Sequence, residues 1–154
     1  MALDMAKYRR IFLEEAGDHL EEMGRALFDL EKQMANADAI DTLFRMAHSV
    51  KSMAASLGYD AVADLAHRME DRMEGLRADG RVRDQAELAL LFRSLEALEK
   101  MVAAVDDGQD PEAADADLLE QLAQSPTSVE APEAPAPEAR SPARVGGEPK
   151  KVLS

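Results

Sequence analysis

The chain has 154 residues and a formal charge of −13, from 18 Lys and Arg against 31 Asp and Glu, and it contains no cysteine. The missing cysteine excludes disulfides, thiolate metal sites and a cysteine nucleophile. No apolar run approaches the roughly 20 residues of a membrane span, and the N-terminus lacks a signal-peptide pattern. We therefore expect a cytoplasmic protein without membrane insertion. Acidic and basic residues are interspersed, which argues against nucleic acid as a partner because no basic patch is available for phosphate contacts.

All seven prolines lie at or after Pro111, so the preceding residues are free to form long helices. Apolar residues there recur at intervals of three or four, which is the period of one helix face. The first such run extends from Tyr8 through Ile11 to Met34, and Asp4 is placed to be its N-cap. The pattern predicts a long first helix.

Two further runs are bounded by residues that suit helix ends. The second run covers about 38–57 and stops at Gly58, which suits the left-handed conformation that closes a helix. The third covers about 61–78, follows Asp60 as a candidate N-cap, and stops at Gly80. These helix-end signals predict a second and a third helix joined by a very short turn.

A fourth run opens at Asp84, which has the spacing of a capping box with Glu87, and it ends at Gly108. A short apolar segment over 117–123 predicts a fifth helix that docks on the others. With no alternating β pattern, the fold class is all-α: an antiparallel up-down four-helix bundle with a short fifth C-terminal helix.

The composition changes sharply after the fifth segment. Residues 124–154 consist mainly of Pro, Ala, Glu, Ser and Gly with almost no large apolar side chain. Such a segment cannot bury enough surface to offset the entropy of ordering, so we expect a disordered linker there. The predicted domains are a helical bundle over 1–123 and a linker over 124–154.

The candidate chemistry lies at a histidine on the second helix. One stripe of that helix, defined by residues three or four apart, contains Phe44, His48, Lys51, Ser52 and Ala55. The stripe borders the apolar face, so the imidazole of His48 should be half exposed. The small side chains beside it leave room for the surface of a partner protein.

A second stripe on the third helix contains His67 and Glu70. His48 is ten residues before Gly58, and His67 and Glu70 are nine and twelve residues after it. Helices that pack antiparallel about this glycine therefore bring the two stripes together. A carboxylate at Nδ1 would hold the ring proton there and leave Nε2 bare as a nucleophile.

In this hypothesis Lys51 would neutralise an incoming phosphoryl group. Alternatives remain open for the same residues. In these alternatives His48 is only a half-buried histidine with one satisfied hydrogen bond, and Lys51 is a solvated lysine. Glu70 would then form an exposed ion pair with Arg72 or near Arg68. A metal site of two histidines and Glu70 is disfavoured by the nearby ammonium group, and we assign no metal ligands. His19 receives no role.

Several segments resemble one family. Residues 44–59, FRMAHSVKSMAASLGY, resemble the histidine phosphotransfer signature, and residues 8–16 and 65–71 resemble the first and third helices of the same domain. Residues 1–123 as a whole are similar to the N-terminal phosphotransfer domain of CheA-type chemotaxis histidine kinases. The family often has glycine at positions 52 and 55, a difference that bears on the choice of partner.

The resemblance implies that His48 is phosphorylated, that Glu70 is its hydrogen-bond partner, and that Lys51 and His67 belong to the supporting polar network. It implies a phosphoryl carrier with two partners, an ATP-binding kinase domain and the receiver domain of a response regulator. No cofactor is expected in this segment, because ATP and Mg²⁺ belong to other domains or to the partner. Two alternatives are a stand-alone phosphorelay protein and a non-catalytic helical interaction module.

Overall fold

The structure is a computed structural model that describes residues 5–124. These residues form five α-helices and no strand, which confirms the predicted all-α class. The helices are α1 (Met5–Lys32), α2 (Ala37–Leu57), α3 (Asp60–Asp79), α4 (Gln85–Asp106) and α5 (Ala116–Ala123). In the bundle α1 packs on α2 and α4, α3 packs on the same two helices, and α5 lies against α3 and α4.

Local signals set most of the helix ends. The Oδ1 atom of Asn36 accepts a hydrogen bond from the backbone N–H of Ala39 at 3.0 Å and caps α2. Gly58 ends α2 with φ at +81° and Gly80 ends α3 with φ at +76°, both in the left-handed region that favours glycine. Only Gly58 and Tyr59 separate α2 from α3, so these helices form a tight antiparallel hairpin.

The predicted cap of α3 is wrong by one residue. Asp60 is the first helical residue, and Tyr59 occupies the N-cap position without a capping hydrogen bond from its side chain. The ring of Tyr59 instead packs on Phe12 with ring centroids 5.0 Å apart, which holds the turn against α1. Asp60 still favours the start of α3 because its charge lies at the positive end of the helix dipole.

At the start of α4 only half of the predicted capping box forms. The side chain of Asp84 accepts a hydrogen bond from the backbone N–H of Glu87 at 2.9 Å. The carboxylate of Glu87 does not return to the cap, because it points into the interior and pairs with Arg72. A residue that looked like a local helix signal therefore serves the tertiary structure.

The four apolar faces share one core, to which α5 adds Leu118 and Leu122. The largest fully buried side chains are Phe12, Met23, Leu27, Leu30, Ile40, Leu43, Leu65, Met69, Met73, Leu76, Leu88 and Leu91. Tyr8 and Ile11 were predicted on the buried face of α1 but are 41% and 40% exposed. Both residues lie in the first two turns of α1, before Phe12, which is the first buried residue of the helix.

Two predictions fall outside the described residues: Asp4 as the N-cap of α1, and the disordered linker, which is described only at Gln124. Among residues 5–124 no helix combines the length and the apolar character needed to cross a membrane.

Candidate functional site

The α2–α3 hairpin brings three of the predicted site residues into contact. Nδ1 of His48 lies 2.7 Å from Oε2 of Glu70, across the two helices. The other carboxylate oxygen, Oε1, lies 2.6 Å from Nζ of Lys51. One carboxylate on α3 therefore joins an imidazole and an ammonium group that are one turn apart on α2.

The three side chains differ in their access to solvent. The side chain of His48 is 55% exposed, whereas Lys51 is 27% and Glu70 only 12% exposed. An ionised carboxylate only accepts hydrogen bonds, so the proton in the contact with Glu70 lies on Nδ1. Within residues 5–124 no hydrogen bond engages Nε2, which leaves this nitrogen bare on an open ring.

The charge of the carboxylate is secured by its two neighbours. Burial acts to raise the pKa of Glu70, but the contacts from Lys51 and His48 outweigh burial and hold the pKa below its usual value of 4.5. Glu70 is therefore ionised at neutral pH. Its negative charge fixes the proton on Nδ1 and would stabilise positive charge on the ring.

The site lies within a segment that matches a known family. Residues 7–108 of the 154 match the model of the Hpt domain. The chain belongs to the Hpt domain family. This match confirms the resemblance that residues 44–59 predicted.

The curated relatives that this Hpt domain matches include chemotaxis proteins. It is 33% identical over 108 residues to chemotaxis protein CheA of Bacillus subtilis, a match that covers 70% of this chain and 16% of the relative. It is 34% identical over 98 residues to CheA of Listeria monocytogenes, covering 64% of this chain and 16% of the relative. It is 35% identical over 100 residues to CheA of Borreliella burgdorferi, covering 64% and 12%. The matches thus span at most 16% of the length of these three relatives.

His67 does not join the contacts among His48, Lys51 and Glu70. Its ring is 57% exposed, and Nε2 lies 3.7 Å from Oδ2 of Asp71, one turn later on α3. His67 and Glu70 are three residues apart, so their side chains leave the helix about 60° apart, and only that of Glu70 faces His48. The predicted part of His67 in the polar network stays a prediction.

The predicted partner-binding residues lie along α2 beside His48. Ser52 and Ala55 are exposed, and Phe44 is partly buried. The guanidinium of Arg77, from α3, lies over the ring of Phe44 at 4.3 Å from its centroid. Arg77 is not among the site residues predicted from the sequence.

The structure overturns one alternative role of Glu70, an exposed ion pair with Arg72. The side chain of Arg72 is 2% exposed and pairs with Glu87. Among residues 5–124 no group of three or more His, Asp or Glu side chains is placed to hold a metal ion. The contacts of Glu70 with Nδ1 of His48 and with Lys51 favour the interpretation of this cluster as an imidazole whose proton is controlled by a neighbouring carboxylate.

Proposed function

We propose that His48 is the phosphoryl-accepting residue of a chemotaxis-type histidine kinase. A separate ATP-binding kinase domain would phosphorylate His48, and the phosphoryl group would then pass to an aspartate in the receiver domain of a response regulator. One observation carries this proposal: an exposed imidazole whose Nδ1 is 2.7 Å from a shielded, ionised carboxylate.

In the first step the lone pair of Nε2 attacks the γ-phosphorus of ATP. The N–P bond forms as the bond from phosphorus to the leaving oxygen breaks, and ADP departs with that electron pair. The ring gains positive charge while its proton stays on Nδ1, where Glu70 stabilises it. In the second step a carboxylate oxygen of the receiver aspartate attacks phosphorus, and the N–P electron pair returns to Nε2.

The neighbouring residues would assist without reacting. Lys51 already neutralises Glu70 and lies one turn from His48, so its ammonium group would also reduce repulsion from an incoming phosphate. Ser52 and Ala55 are small and exposed, which lets a partner surface approach the ring. A supporting role for His67 requires its ring to turn away from Asp71.

The Hpt domain would thus be a substrate and carrier, with ATP and Mg²⁺ bound elsewhere. Cytoplasmic localisation belongs to this proposal, because the proposed phosphoryl donor is ATP. A stand-alone phosphorelay protein would use the same histidine but receive its phosphate from another receiver domain. A purely structural helical module would take up no phosphate at all.

The test is phosphate uptake from labelled ATP by the full chain, mixed with candidate histidine-kinase ATP-binding domains. We expect an acid-labile label on the wild-type chain and none on His48→Gln, with unchanged helical content by circular dichroism. The variant His19→Gln, altered at a partly buried position on α1, is the matched control and should be labelled like the wild type. Label that persists on His48→Gln, or no label on the wild type with any kinase domain, would contradict the proposal.

A further inference from the structure

A second polar cluster lies two helical turns from His48 on the same face of the α2–α3 hairpin. Asp41 precedes His48 by seven residues, and Arg77 follows Glu70 by seven. The Nε atom of Arg77 lies 3.6 Å from Oδ1 of Asp41, and the Nε atom of Arg45 donates a hydrogen bond to Oδ2 of Asp41 at 2.9 Å. Two guanidinium groups therefore share one carboxylate.

This cluster has surplus positive charge in an exposed position. The side chains of Arg45 and Arg77 are 62% and 44% exposed, and Asp41 neutralises only one of them. The chain as a whole is acidic, with a net charge of −13. A local positive patch beside the proposed reacting histidine favours a partner surface with negative charge.

Arg77 combines a fixed position with unused donors. Its guanidinium is stacked over Phe44 at 4.3 Å from the ring centroid, which restricts its orientation. Its separation of 3.6 Å from Asp41 is longer than a hydrogen bond, and within residues 5–124 it makes no closer polar contact. The donors at the edge of the guanidinium are thus available to a carboxylate, which they can bind through two parallel hydrogen bonds.

We propose that Arg77, held on Phe44, is a docking residue that binds a carboxylate on the receiver domain accepting the phosphoryl group from His48. The inference rests on the proposed function, because that function makes the phosphoryl acceptor an aspartate of the receiver domain. The surface of the receiver domain around this aspartate then brings negative charge to the hairpin. Seven residues of helix separate the two clusters by about 10 Å, so Arg77 lies too far from His48 to contact the phosphoryl group on its ring. It lies well within the contact area of a docked domain.

Asp41 has a defined part in this proposal. In the free domain it competes with the partner for the guanidinium of Arg77, and docking replaces a long ion pair by a short bidentate one. Removing Asp41 should therefore strengthen docking. A merely structural role for the cluster predicts the reverse, because losing the shared carboxylate would then disorder Arg77.

The test measures transfer from the full chain, labelled on His48 and freed of kinase and nucleotide, to the receiver domain at increasing concentration. We expect Arg77→Gln to raise the KM for the receiver about tenfold with little change in the maximal rate, and to weaken its salt dependence. Arg77→Lys retains the positive charge but not the planar guanidinium that can bind a carboxylate through two hydrogen bonds. Its KM should therefore lie between those of the wild type and Arg77→Gln. Asp41→Asn should lower the KM about threefold.

Arg93→Gln is the matched control. Arg93 is also 44% exposed and has an ion pair of 3.8 Å, with Asp117, but it lies on α4 beside α5. Its KM should equal that of the wild type. A wild-type KM for Arg77→Gln, equal losses in Arg77→Gln and Arg93→Gln, or a raised KM for Asp41→Asn would overturn the inference. So would an Arg77→Gln effect confined to phosphorylation by the kinase domain. Failure of the wild type to be labelled would instead refute the proposed function.

Discussion

At the scale of single residues, the site depends on how one carboxylate is shared. The distances of His48 and Glu70 from Gly58 along the chain, ten and twelve residues, predict that they meet, because residues at similar distances from a tight antiparallel turn lie near each other. Helix spacing did not predict the contact between Lys51 and Glu70, because that argument assigned the lysine to the phosphoryl group; only the family resemblance placed Lys51 in the polar network. The ammonium group of Lys51 lies at the end of a flexible side chain, and helix spacing does not specify where that group lies.

The shared carboxylate makes the stability of the domain depend on pH. Because the pKa of Glu70 is lowered in the folded state, its ionised form stabilises the fold above the usual value of 4.5, and that contribution is lost as the pH falls through the folded-state pKa. We expect the difference in unfolding free energy between the wild type and Glu70→Gln to be largest above pH 4.5 and to shrink below it. Urea unfolding of both proteins from pH 3 to 7 checks this, and a difference that grows with acidity would contradict it.

Glu70 also controls the proposed chemistry. The amide of Glu70→Gln can donate to Nδ1, which places the ring proton on Nε2 and blocks the nucleophile. We expect phosphate uptake to slow about 100-fold in this variant. Glu70→Ala, which removes the acceptor without supplying a donor, should retain more activity. Initial rates with labelled ATP measure both, and equal rates for the wild type and Glu70→Gln would remove the assigned role.

At the scale of helices, α5 is attached by a buried ion pair that sequence reasoning missed. The guanidinium of Arg72 pairs with both carboxylate oxygens of Glu87, at 2.5 and 2.6 Å, and donates to the carbonyl oxygens of Gln121 and Leu122. It thereby joins α3 and α4 to the C-terminal end of α5, where a positive charge is favoured. The periodicity of α3 alone does not show that α5 covers Arg72, so its burial was not predictable locally.

Removing one partner of this pair leaves the other charged group buried. We expect Arg72→Met to destabilise the fold by about 3–5 kcal/mol, because Glu87 then lacks its counter-charge. The double variant Arg72→Met with Glu87→Leu should recover much of that loss. Arg68→Met, which breaks an exposed pair with Asp64 on the same helix, should lose no more than about 1 kcal/mol. Urea denaturation distinguishes these outcomes. Equal losses of unfolding free energy for Arg72→Met and Arg68→Met would contradict the stabilising role of the buried pair.

At the scale of the whole molecule, the helix count and order followed from strong local signals. Uninterrupted apolar periodicity without proline and the glycines at 58 and 80 predicted α2 and α3 to within one residue at each end. The errors lie where tertiary contacts decide. Tyr8 and Ile11 continue the apolar pattern of α1 past the point where other helices can cover them. Periodicity identifies a face but not where its neighbours end.

The domain boundary gives a prediction for truncated chains. A chain ending at residue 124 retains every core residue of the part of the chain that the structure describes, and it should match the wild type in Tm and in phosphate uptake. A chain ending at residue 115 lacks α5, which exposes the surface under Leu118 and Leu122 and removes two carbonyl acceptors of Arg72. We expect its Tm to fall by roughly 10 °C. Thermal unfolding checks both chains. Equal Tm values for the two truncations would show that α5 adds nothing to the bundle, and a lowered Tm for the longer one would contradict the predicted linker.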